Sequence, residues 1–152
     1  KNISRMMHQS EETAAVKDGM DIALLSIDRS NNLIEYAGAF NPLWIVRENE
    51  CIEIKADKHP VGEFLGEELK SFPHNEFTTQ KGDVLYIFTD GYADQFGGPK
   101  GKKFKYKQFQ QMLIENSNKP MEEQRLILEN TLFNWQGSLE QIDDILVIGI
   151  RI

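Results

Sequence analysis

From Asp21 to Asp28 the chain reads Asp-Ile-Ala-Leu-Leu-Ser-Ile-Asp, a short run of branched apolar residues closed by charge at both ends, which predicts a strand. Asn31-Asn32 is a turn signal and Leu33–Ala39 is a second such run, so the two read as a hairpin. Asn41-Pro42 interrupts, and Leu43–Arg47 with Cys51–Lys55 predicts another hairpin around Glu48–Glu50. Four strands joined by turn-length links point to an antiparallel meander, because parallel strands need long crossovers. Residues 56–74 hold Pro60, Gly62, Gly66 and Pro73 and read as loop, with a short helical turn at 66–70. Asn75–Gln80 reads as a strand, and Lys81-Gly82 turns into Asp83–Thr89, the clearest strand of the chain. Val84, Tyr86 and Phe88 occupy one of its faces and Leu85, Ile87 and Thr89 the other, so it is expected to be covered on both sides.

The period then changes from two to three and four. Tyr106, Phe109 and Leu113 share one face of a helix expected over 105–116. Pro120 suits the first turn of a second helix, 120–135, which carries Leu128, Leu132 and Trp135 on one stripe and stops at Gly137. Asp144–Ile152 closes the chain as another strand apolar on both faces. Residues 4–17 have helix-tolerant composition up to the break at Asp18-Gly19. No repeat or linker divides the chain, so one folding unit is expected. Strands buried on both sides need a second sheet on one face and amphipathic helices on the other. The expected class is α+β: an antiparallel β-sandwich flanked by helices, in α/β/β/α layers.

Composition narrows the function. The chain has 152 residues, 40% hydrophobic and 27% charged, which fits one globular domain and excludes a disordered or fibrous one. Its longest apolar stretch, near Ile145–Ile150, is far short of the roughly 20 residues that span a bilayer. No charged-then-apolar leader is read at its start. The chain opens on Lys1 rather than methionine, so it is expected to be an excerpt of a longer protein. A net charge of −7 argues against general nucleic-acid binding. Five lysines nevertheless cluster at Lys100, Lys102, Lys103, Lys105 and Lys107. The single cysteine, Cys51, excludes a disulfide framework and thiolate zinc, and a reducing, cytoplasmic setting is expected. His8, His59 and His74 match no metal or triad spacing, and Ser10, Ser26 and Ser71 have no histidine placed to activate them.

Carboxylates at strand ends are the chemistry-bearing pattern. Asp90 stands where strand 83–89 stops, in Thr89-Asp90-Gly91, and Asp143-Asp144 stands where the last strand starts. If those strands are antiparallel neighbours, Asp90 and Asp143 share an edge. Two carboxylates that close raise each other's pKa unless a cation lies between them, and such oxygen ligands suit Mg²⁺ or Mn²⁺. A plain turn at Asp90-Gly91 and a solvated strand approach at Asp143-Asp144 account for the same spacing, since aspartates are common at strand ends. Asp18 and Asp21 add carboxylates before the first strand, or simply a turn. The glycine-rich loop from Gly97 to Lys103 offers backbone N–H groups and ammoniums to a phosphate, or is a solvated basic loop. Phe96, Phe104 and Tyr106 read as anchors of that loop in the core.

Together, Asp18–Leu24, Tyr36–Leu43, Pro60-Val61-Gly62, Gly82–Asp94 and Gln141–Val147 resemble, in order, the carboxy-terminal half of the metal-dependent PPM family, the type 2C protein Ser/Thr phosphatases. The nearest branch is the bacterial SpoIIE/RsbU type. The resemblance implies that Asp90 and Asp143 are metal ligands and that Asp144 supports them. It further implies that Gly91 positions the backbone, and that Asp18 holds a third, weaker metal. It divides the chain into a connecting helix, 1–17, and the carboxy-terminal portion of the domain, 18–152. The family's amino-terminal half supplies the aspartate that bridges the metals, in a Gly-Asp strand and an Asp-x-x-Gly-His-Gly turn, and neither motif occurs here.

The implied chemistry is hydrolysis of phosphoserine or phosphothreonine by water activated between two Mn²⁺ or Mg²⁺ ions, with a third ion in some members. The implied substrate is a phosphorylated regulatory protein of the anti-sigma-factor-antagonist type. A sensor or receiver domain is expected upstream, and the parent can be membrane-attached through that region. Lys100, Lys102 and Lys103 are the candidate phosphate or substrate loop. Without the bridging aspartate this chain alone is expected to bind metal weakly and to hydrolyse phosphoesters poorly. The alternative from another class is a non-catalytic regulatory module that keeps the sheet without the metal centre. Open sheet edges make a homodimer an expectation too, and light scattering that finds a monomer at high concentration would count against it.

Overall fold

Alternation of inward and outward side chains sets the first hairpin of the computed structural model, which describes residues 19–62 and 71–152. The expected helix over 1–17, the expected helical turn at 66–70 and Asp18 lie outside the described residues. β1 (Ile22–Asp28) pairs antiparallel with β2 (Leu33–Ala39), from Ile22 opposite Ala39 to Asp28 opposite Leu33. β3 (Leu43–Arg47) and β4 (Glu50–Ile54) form the second hairpin. Its two turn residues, Glu48 and Asn49, both hold positive φ (48° and 66°), the handedness that matches the twist of the flanking strands.

The two hairpins do not form one meander. Phe40 turns the chain at φ 61°, Pro42 offers no donor, and β3 leaves for a different sheet. β5 (Asn75–Thr78) pairs with β2, completing a sheet of order β1-β2-β5. β6 (Val84–Phe88) pairs with β3 and, on its other side, with β9 (Val147–Arg151), giving the order β4-β3-β6-β9. Between β6 and β9 run α1 (Gly91–Asp94), a two-residue hairpin of β7 (Phe96–Gly97) and β8 (Lys102–Lys103), α2 (Tyr106–Asn116) and α3 (Met121–Gln136).

The architecture is an antiparallel sandwich with helices packed on one sheet. Ile34 and Tyr36 of the three-stranded sheet meet Leu43, Ile45, Ile54 and Leu85 of the other in one core. Trp44, Val84, Tyr86 and Phe88 point the opposite way, against Phe109 and Leu113 of α2 and Leu128 and Leu132 of α3. Thus β6 is apolar on both faces because both are covered. β9 is covered less completely than its composition predicts, for Ile148 is 40% exposed at the free edge of the sheet. A groove of about 690 Å³ opens there between β9 and α3, lined in part by Met121, Leu128, Leu132 and Val147.

Two polar contacts hold the layers in register. Tyr86 donates to Gln124 Oε1 (2.5 Å), and the Gln124 amide donates to the carbonyls of Ser117 and Lys119, which accounts for a buried glutamine in α3. Arg47 grips Asp83 with two hydrogen bonds (2.8 and 2.7 Å), and the Gln80 amide donates to the same carboxylate. Burial of the Asp83 carboxyl raises its pKa, but Arg47 and the Gln80 amide outweigh that and leave it below the usual carboxylate value. A depressed folded-state pKa gives stability that is present above the unfolded value, near pH 4, and is lost as pH falls through the folded one. Asp83→Asn is therefore expected to cost about 1.5–3 kcal/mol at pH 7 and less at pH 2, read by urea unfolding at both. An equal cost at both pH values would contradict the ion-pair account.

Candidate metal centre

The end of β6 and the approach to β9 are locked together by one side chain. The Thr89 amide donates to the Leu146 carbonyl (3.0 Å), its hydroxyl donates to the Asp144 carbonyl (2.7 Å), and that hydroxyl accepts from the Leu146 amide (2.9 Å). Asp90 follows directly and opens α1, with the Asp94 amide donating to its carbonyl (3.0 Å). Gly91 sits against the Asp144 carbonyl so closely that a β-carbon would strike the peptide oxygen and carbon of Asp144. A backbone obstacle cannot swing aside as a side chain can. Gly91→Ala is accordingly expected to destabilise by about 1–3 kcal/mol and to push the two aspartate-bearing segments apart. Thermal melting reads the first effect and loss of Mn²⁺ affinity the second; a wild-type result for both would contradict the close approach.

On this rim the carboxylates interact. The Asp90 pKa is raised by loss of solvent around the group, then by the charges of Asp143, Asp94 and Asp21. Asp143 is itself oriented by its neighbours: its Oδ1 accepts from the Asp144 amide (2.7 Å) and its carbonyl from the Gln141 side chain (2.8 Å). Asp144 acts here through its backbone, as the acceptor of Thr89, while its side chain is exposed. Met20 exchanges two backbone hydrogen bonds with Val61 (both 2.9 Å), which ties down the segment that delivers Asp21. Carboxylate oxygens suit a hard divalent cation by charge and chemistry, but these aspartates do not converge as a group of three or more: among the described residues the ligand atoms that do so within 4.8 Å belong to Glu35, His74 and Glu76.

Three further residues border the rim: Asp94, which the sequence did not mark as a candidate, Lys103 of the candidate phosphate loop, and Tyr106, expected only as an anchor in the core. Asp94 lies one helical turn beyond Asp90, an i,i+4 spacing that was legible had α1 been recognised. Lys103 forms an ion pair with Asp94 (2.7 Å), so one lysine of the basic loop reaches the rim while Lys100 and Lys102 stand exposed on the hairpin. Tyr106, 41% exposed, packs against Trp44 and Phe88. Burial and the charges of Asp90 and Asp94 push its phenol up to about 12, so it remains a proton donor at neutral pH.

His74, which matched no metal spacing in the sequence, does join a cluster. Its Nε2 lies 3.0 Å from Glu35 and its Nδ1 3.8 Å from Glu76, and the ligand atoms of the three lie within 4.8 Å of one another. Glu35 and Glu76 face each other across β2 and β5, and His74 lies 39 residues from Glu35 in sequence. This trio stands on the solvent side of the three-stranded sheet, whose inward residues are Ile34, Tyr36 and Phe77.

Comparison with known proteins agrees with this architecture. The family model described as stage II sporulation protein E matches residues 1–152. No curated protein is significantly similar in sequence. Among solved structures, the SiaA-PP2C domain of Pseudomonas aeruginosa is 30% identical with a TM-score of 0.80, over 87% of this chain and 51% of that one. The phosphatase domain of the cell fate determinant SpoIIE from Bacillus subtilis, presoaked with manganese, is 19% identical with a TM-score of 0.63, over 87% of this chain and 56% of that one. The RsbU and RsbW domains of a Mycobacterium tuberculosis protein are 16% identical with a TM-score of 0.65, over 86% of this chain and 35% of that one. The chain thus spans about half the length of the first two structures it matches. By fold and by sequence it belongs to the SpoIIE family of PP2C-type phosphatase domains.

Proposed function

We propose that the chain is the carboxy-terminal part of a protein serine/threonine phosphatase acting on a phosphorylated regulatory protein, and that Asp90 and Asp143 hold its divalent cations. The observation that carries this reading is the join of the two segments: Thr89 is hydrogen-bonded to Asp144 and Leu146 and Gly91 lies against the Asp144 carbonyl, so the residues next to Asp90 and Asp143 run side by side. The manganese-presoaked SpoIIE relative supports Mn²⁺ as the ion, with Mg²⁺ as the chemically equivalent hard cation. Asp18 is the proposed holder of a third ion.

Divalent ions, when bound, supply the positive charge that acidifies a water and neutralises the phosphoryl oxygens. The residues of this chain do the positioning. Asp90 and Asp143 provide fixed anionic oxygens, Thr89 and Gly91 set the spacing between them, and Asp94 is kept from competing by Lys103. Tyr106 presents a phenolic proton beside the rim, suited to hydrogen-bond a phosphoryl oxygen or the attacking water. Since the chain covers half of its relatives, activity is assigned to the full-length protein, and the chain alone is expected to be weak. With the full-length protein, hydrolysis of a phosphoserine peptide is expected to vanish in EDTA and to return with Mn²⁺. Hydrolysis that persists in EDTA would overturn the reading.

A further inference from the structure

Lys100, Lys102, Lys103, Lys105 and Lys107 are all exposed, on a chain of net charge −7. Scattered surface lysines need no explanation, but this group differs in how it is carried. Gly97 packs on the Trp135 carbonyl, the Gly98 amide donates to that carbonyl (2.7 Å), and the Trp135 indole donates to the Gln95 carbonyl (3.1 Å). Gly98 and Gly101 turn the hairpin with positive φ, 67° and 56°. Between Lys103 and Lys105 the buried Phe104 wedges edge-on against Tyr92 (5.4 Å) and Trp135 (5.3 Å). The Phe104 and Lys105 amides donate to the Gln95 and Ala93 carbonyls, so the hairpin is laced to the helical turn that begins at Asp90.

The charges on this fixed backbone are unequally used. Lys103 is committed to Asp94. Among the described residues, no carboxylate lies within ion-pair distance of Lys100, Lys102, Lys105 or Lys107; Lys55, Lys58 and Lys81 are unpaired as well, so what sets the hairpin lysines apart is that they are clustered on one rigidly held segment. Tyr106 stands between Lys105 and Lys107 and feels the charges of Asp90 and Asp94, which places this start of α2 beside the rim. An acidic peptide is repelled by most of this surface; next to the rim it meets unpaired ammoniums. Nucleic acid is the poorer occupant, because its charge would extend onto the acidic remainder of the surface.

We propose that the lysine hairpin and the start of α2 dock acidic residues flanking the phosphorylated residue of a protein substrate, and so select acidic phosphoproteins. This rests on the phosphatase reading above. It also narrows the sequence expectation: Lys103 serves Asp94 rather than a phosphate, and Lys100, Lys105 and Lys107 meet the flanking side chains.

The test uses the full-length protein and two phosphoserine peptides, one flanked by Asp and Glu, the other by Asn and Gln at the same positions. Three exposed charge pairs worth a few tenths of a kcal/mol to 1 kcal/mol each predict a KM about tenfold lower for the acidic peptide at low salt. The triple change Lys100→Glu, Lys105→Glu and Lys107→Glu is expected to erase that preference. A triple change of equal charge placed elsewhere, Lys55→Glu, Lys58→Glu and Lys81→Glu, is expected to keep it. Equal KM values for both peptides, or equal loss in both triple variants, would overturn the docking proposal and leave the phosphatase reading standing. Absence of hydrolysis of either peptide would overturn the phosphatase reading. Fluorescence anisotropy of the same labelled peptides then decides docking by itself: a preference for the acidic one that the hairpin variant removes supports it, and no preference overturns it. Displacement of the acidic peptide by polyuridylate or by phosphatidylserine vesicles, at lower concentration than by unlabelled peptide, would also overturn it.

Discussion

Asp90→Asn in the full-length protein is expected to lower Mn²⁺-dependent hydrolysis of a phosphoserine peptide by more than about 100-fold, since loss of a mere supporting group around a metal already costs 10–100-fold. Asparagine keeps the size of the side chain and one oxygen but loses the charge that holds a cation. The same change relieves repulsion, because the Asp90 carboxylate stands against Asp143, Asp94 and Asp21. The metal-free variant should therefore melt no lower than the wild type, and that separates lost chemistry from lost folding. Asp143→Asn should match it, and the double variant should be little worse than either single one, as expected of residues that act as a unit. Full activity of Asp90→Asn would refute its assignment as a ligand.

The second large effect is on stability. Phe109 is fully buried in α2, stacked on Tyr92 at 4.5 Å and packed against Phe88 (5.2 Å) and Trp44 (5.6 Å). Tyr92 belongs to α1, between Asp90 and Asp94, and its hydroxyl donates to the Leu128 carbonyl (2.8 Å), so this aromatic cluster is the floor on which the acidic rim rests. Phe109→Ala is expected to cost about 3–5 kcal/mol, through lost burial and the cavity left behind. Phe133, 76% exposed on α3, provides the contrast: its replacement by alanine should stay within about 0.5 kcal/mol. Urea unfolding of the two variants reads the difference, and similar costs would contradict the placement of the core.

Local pattern was legible, and partnership was not. β6 could be read directly because apolar residues on both faces have one meaning in a sandwich. Both long helices could be read from Tyr106, Phe109 and Leu113 and from Leu128, Leu132 and Trp135, with Pro120 and Gly137 at the ends of the second. The supposed meander failed at Phe40, whose positive φ no residue type announces, and at β5, which returns to β2 from more than 30 residues away. The last strand starts later than its apolar run because residues 144 and 146 meet Thr89 through its hydroxyl and a single backbone bond rather than through a regular ladder. At the rim, Asp90 and Asp143 were legible as strand-end carboxylates. Asp94 and the place of Tyr106 beside the rim were not, and Lys103 was legible as a basic-loop residue but not as the partner of Asp94, because a four-residue helix and a two-residue hairpin leave no periodic trace.

Anomalous scattering from crystals of the full-length protein grown with Mn²⁺ tests the central claim most directly. The account predicts a peak bound by the Asp90 and Asp143 carboxylates. Manganese found only at Glu35, His74 and Glu76 on the other sheet, or no peak at the Asp90–Asp143 rim, would contradict it.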